Sequence, residues 1–90
     1  FGRPEQVFTQ AWNLMVSKKL MHHASLKQRA VTSEDALMRY RANELSRLLD
    51  EVGRIEAFDF LLSLKVLDRM ELQPNDKLSA VFLAGVRITL

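Results

Sequence analysis

Apolar positions recur at two different periods, and the switch between them divides the chain. From Pro4 onward, Val7, Phe8, Ala11, Trp12, Leu14, Met15 and Val16 return at steps of three and four, the spacing of one helix face. Pro4 suits the first helical position, where a missing N–H costs nothing. Glu5 lies near the positive end of the helix dipole, and Lys18 and Lys19 near the negative end. A first helix is predicted over about 4–20. Residues 22–32, His-His-Ala-Ser-Leu-Lys-Gln-Arg-Ala-Val-Thr, show no clean period and read as a loop or a loose helical extension.

Thr32-Ser33-Glu34-Asp35 is a helix start, with Thr32 and Asp35 at capping-box spacing. Met38, Ala42, Leu45, Leu48, Leu49 and Val52 then form one stripe, and Gly53 stands where a left-handed stop is expected. A second helix is predicted over about 33–52. Asp59 is a plausible N-cap for a third, about 60–69, apolar almost all round and so expected to lie between the other helices and whatever covers its far side.

The texture then changes. Met70-Glu71-Leu72 alternates, and Gln73-Pro74-Asn75-Asp76 is a strong turn signal. Residues 77–83 are strand-like, Ala84-Gly85 breaks or bulges them, and Val86-Arg87-Ile88-Thr89-Leu90 alternates at period two. The predicted fold class is α+β: three helices followed by a small antiparallel β-meander over about 70–90.

Ninety residues are expected to make a single module spanning 1–90. The chain opens Phe1-Gly2 rather than on methionine, and is read as a fragment of a larger protein. With no cysteine, a disulfide framework, a thiolate metal site and a cysteine nucleophile are excluded. No apolar run approaches the ~20 residues of a membrane span, so a soluble cytoplasmic location with no membrane partner is expected. Net charge is +2 but unevenly placed. Residues 1–32 carry Arg3, Lys18, Lys19, Lys27 and Arg29 against Glu5 alone, whereas residues 33–90 are net acidic. This asymmetry fits either a nucleic-acid-facing end or an ordinary solvated loop and helix end.

Candidate chemistry is sparse. The three glycines are isolated, so no phosphate-binding loop is present, and no set of residues points to a cofactor or a small-molecule substrate. Ser25 lies near His22 and His23, but no acid accompanies them in sequence. Adjacent histidines on a helix point about 100° apart, so the pair reads as solvated rather than metal-ligating. Phe8 and Trp12 read as core more readily than as a stacking platform for bases. Arg39 and Arg41 sit where they would reach phosphates or pair with Asp35 and Glu44. The chain by itself is expected to be no enzyme.

One resemblance runs through these segments. Residues 4–13, Pro-Glu-Gln-Val-Phe-Thr-Gln-Ala-Trp-Asn, and 40–45, Tyr-Arg-Ala-Asn-Glu-Leu, are similar to the C-terminal region of large serine site-specific recombinases. So are Ile55-Glu56-Ala57-Phe58-Asp59 leading into residues 66–72, and the closing run Val81 to Leu90. The resemblance covers most of 4–21 and 37–90. It implies the part that follows the zinc ribbon of such an enzyme, with the serine-bearing catalytic domain elsewhere. No catalytic or metal residue of the family maps onto a position here. What it implies is DNA as partner, through the parent protein or by direct phosphate contacts. The candidate backbone contacts are Lys18, Lys19, Lys27, Arg29 and Arg41. The competing expectation is a protein-interaction or dimerisation module, a homo-oligomer included, built on the stripe Met38, Leu45, Leu49 and Val52.

Overall fold

The computed structural model describes residues 3–90. Among these, four α-helices precede a three-stranded antiparallel sheet: α1 Pro4–Ser17, α2 Lys19–Thr32, α3 Ala36–Glu51, α4 Phe60–Val66, β1 Leu67–Leu72, β2 Leu78–Phe82 and β3 Arg87–Thr89. A single 3₁₀ turn, Leu83–Gly85, joins β2 to β3. The α+β class and the closing meander are as the periodicity predicts.

Of the two expectations for 22–32, a loop or a loose helical extension, the structure has neither: the segment belongs to a separate helix, and the expected first helix stops at Ser17. One straight helix through Thr32 would run roughly 43 Å at 1.5 Å per residue, longer than the molecule's greatest extent of 37 Å. The break falls at Lys18, whose N–H bonds Met15 O at 3.1 Å while the Ser17 hydroxyl donates to Leu14 O at 2.7 Å. The bend lets Trp12 and Met15 on α1 and Leu26 on α2 enter one core.

Two boundaries also shift. Thr32 does not cap the third helix: its hydroxyl donates to Gln28 O at 2.8 Å and closes α2. Asp35 caps α3 by accepting from the Leu37 N–H at 2.9 Å. At the other end α4 is shorter than expected, ending at Val66, with β1 starting at Leu67. Its cap is the expected Asp59, which accepts from the Leu62 N–H at 3.0 Å.

Trp12, Phe8 and Phe82 centre the core, with Phe8 edge-on to Phe58 at 5.7 Å and tilted on Phe82 at 5.9 Å. Strand order is β1-β2-β3, and the register places Met70, Ala80 and Ile88 side by side on the face that joins the core. On the opposite face Arg69, Val81 and Arg87 form one row, and Glu71, Ser79 and Thr89 the next. Glu71 accepts from Arg69 and from Arg87, both at 2.7 Å, so an ion-paired roof crosses the central strand above buried Val81 and Ser79.

Candidate nucleic-acid interface

Helix α2 carries most of the chain's basic excess. At about 100° per residue, Lys18, His22 and Arg29 fall within about 40° of one another around its axis, while Lys27 lies about 180° from Lys18. Lys18, Lys27 and Arg29 are exposed, and His22 is half-buried. The Arg29 guanidinium donates to Ala84 O in the 3₁₀ turn, which ties α2 to the end of the sheet. Ala84 and Gly85 there both adopt positive φ, 60° and 76°. A side chain at Gly85 would lie 3.7 Å from Arg29 Nη1, so the turn offers only backbone beside the guanidinium. Desolvation holds the His22 ring below the ordinary histidine range, and the neighbouring Lys18, Arg29 and His23 push in the same direction.

The five candidate DNA contacts do not share one surface. Lys18 and Arg29 are brought into line. Lys19 is drawn towards Asp50, 3.9 Å away. Lys27 faces away from the row, and exposed Arg41 sits on α3, about 180° around its axis from Asp50. Arg39 donates to Ser33 O at 2.9 Å and so closes the α2–α3 connection instead of pairing with Asp35. Glu44 is taken by Arg47 rather than Arg41, and that hydrogen bond holds its carboxyl below the usual range. His22 joins the row although its sequence neighbourhood shows no clean period and reads as a loop or a loose helical extension. The signal was the polar recurrence Lys18, His22, Ser25, Arg29 at helical steps.

The proposed partner stripe is corrected by burial. Leu45 and Leu49 are 0% exposed and Met38 packs against the same core, because α3 turns this face inward, with α2 and the 3₁₀ turn as its main neighbours; of the four, Val52 alone keeps a sizeable outer surface, 39% exposed. One cluster of uncovered apolar side chains lies on α4, where Leu62 and Val66 point inward and Phe60, Leu61 and Leu64 remain 61%, 68% and 65% exposed.

The chain matches no family model, no curated protein and no solved structure.

A second polar constellation joins α2 to α3. His23 bonds the Ser46 hydroxyl through Nδ1 and the Asp50 carboxylate through Nε2, the latter at 3.0 Å. Ser46 and Asp50 are one turn apart on α3, so a single imidazole reaches both. The neutral ring fits when Nε2–H donates to Asp50 and Nδ1 accepts from Ser46; the protonated ring donates at both. The order Ser–His–Asp is that of acyl-transfer enzymes, but Ser46 is mid-helix, where the backbone N–H groups that would hold an oxyanion are spent on α3 itself. Its role here is to clamp two helices. Ser25, the serine near the histidines in sequence, takes no part; the acid and the serine come from α3 at a distance of 23 to 27 residues.

Among the described residues no helix is long and apolar enough to cross a membrane.

Proposed function

We propose that the chain is a non-catalytic C-terminal module of a site-specific DNA recombinase, supporting DNA binding or subunit contacts. The observation that carries the DNA part is the exposure of Arg3, Lys18, Lys19, Lys27 and Arg29, all within the α1–α2 third, against the single acidic Glu5. Such charges contact phosphates and position a protein on a duplex without reading its bases. The succession of helices and closing hairpin is in keeping with the resemblance of residues 4–21 and 37–90 to the recombinase C-terminal region. The parent's catalytic serine and zinc ribbon would lie outside this chain.

The test is fluorescence anisotropy with a duplex of unrelated sequence at about 50 mM and 200 mM salt. The expected result is binding that weakens several-fold with salt and changes little with sequence. Failure to bind at the lower salt overturns the DNA part.

A specific observation favours subunit or partner contact as a second reading. Phe60, Leu61 and Leu64 lie together on two turns of α4 and are mostly exposed, an apolar cluster larger than scattered surface residues. Light scattering across a concentration range, on the native chain and on Leu64→Glu, tests self-association. A mass that rises with concentration and returns to the monomer in the variant supports it; a constant monomer mass removes it.

A further inference from the structure

We propose that Lys18 at the N-cap of α2 and His22 and Arg29 on the same side of that helix form a seat for the phosphate backbone of duplex DNA. This rests on the DNA reading above and names the residues and the proton behind it.

From Lys18 to Arg29 the row spans roughly 16 Å along the helix, enough for more than one phosphate of a strand that carries a charge every ~3.4 Å of axis. Both end cations are exposed. Arg29 is anchored through one N–H to Ala84 O, which fixes the guanidinium beside the 3₁₀ turn and leaves further donors of its five. The half-buried ring of His22 lies between them.

Partial burial and two flanking cations disfavour the imidazolium, so His22 is neutral in the free protein near pH 7. The charged groups that bear on it are Lys18 at the N-cap of α2 and, from the helix itself, Arg29 and the ring of His23. The last turn of α1, Leu14 to Ser17, and the turn Leu83–Gly85 carry no titratable side chain. From α3, Asp50 is engaged by His23 and Lys19. A phosphodiester on the row reverses the sign of the local field. An opposite charge within ~4–6 Å favours the protonated ring, so the complex binds one proton more than the free partners. Affinity therefore rises as pH falls.

The experiment is the same anisotropy titration at about 50 mM salt, at roughly pH 7.5 and pH 5.5, on the native chain, His22→Gln and Lys27→Gln, with circular dichroism confirming that each is folded at both pH values. A companion measurement follows the His22 and His23 ring protons by NMR during a pH titration, with and without inorganic phosphate. The expected result is DNA binding at least about threefold tighter at the lower pH, lost in His22→Gln and kept in Lys27→Gln. Phosphate is expected to move the His22 midpoint upward. DNA binding with the same pH dependence in His22→Gln overturns the seat but leaves the DNA reading standing. Absence of DNA binding overturns both. A His22 midpoint unmoved by phosphate, or DNA affinity independent of pH, overturns the seat alone.

Discussion

Asn13 and Ile55, 42 residues apart, hold each other by two hydrogen bonds: Asn13 Nδ2 donates to Ile55 O at 2.8 Å, and the Ile55 N–H donates to Asn13 Oδ1 at 2.9 Å. The side-chain amide thus does for an irregular loop what a neighbouring strand would do. Beside it, Trp12 Nε1–H donates to Gly53 O at 2.7 Å. Two consecutive α1 residues therefore pin the chain as it leaves α3, which fixes where α4 and its exposed apolar face are presented. Asn13→Ala leaves a partly buried N–H and C=O unpaired and is expected to cost about 1–3 kcal/mol. Urea unfolding checks it. Asn13→Asp keeps the acceptor but turns an oxygen towards Ile55 O, so it is expected to be no milder.

Gly53 separates conformational cost from packing cost. Its φ is +67°, and a Cβ there would meet nothing within 4 Å. Gly53→Ala is expected to lose about 1 kcal/mol from the left-handed backbone alone, with Gly53→Asn losing less. A melting temperature equal to that of the native chain would show that the loop adjusts its backbone freely.

The His23 clamp predicts coupling rather than simple loss. His23→Ala and Ser46→Ala each remove one side of the same bond. The double variant is expected to be less destabilised than the sum of the singles, by about 1 kcal/mol. Equilibrium unfolding of the four proteins in the cycle measures this. Strict additivity would mean that the two side chains act independently.

Stability should depend on pH through His22. Its folded value is lowered from the ordinary 6.5, so the unfolded chain binds the proton more readily. The neutral ring's stability is present above pH 6.5 and is lost as pH falls from there through the folded value. His22→Gln is expected to flatten this part of the stability–pH curve while leaving the plateau above it close to native. Urea midpoints across that range give the comparison.

Much of the architecture was legible along the chain. The Pro4 start, the α3 stripe, the Asp59 cap and the turn at 73–76 each rest on local chemistry, and local chemistry survives folding. Helix α2 was not legible, because Leu26 is its one fully buried side chain while Leu20, Met21 and Val31 face outward. A helix held by Leu26 and Ala30, a histidine clamp and an arginine tie shows little hydrophobic period. The start of β1 at Leu67 was hidden for a different reason: Leu64, Val66 and Leu67 fit a helix face as well as a strand entry, and pairing with Phe82 decides between them.

By itself the sequence determined the α+β class, the order of the main elements and the basic character of the first third, since period, caps and charge are properties of neighbouring residues. Tertiary structure alone decided which of those charges stand together, and which apolar stripe is spent on the core. Both depend on the bend at Lys18 and on the direction from which α3 meets α2. No local pattern encodes such a meeting of distant segments: Leu45 and Leu64 are alike as residues, and packing makes one core and the other surface.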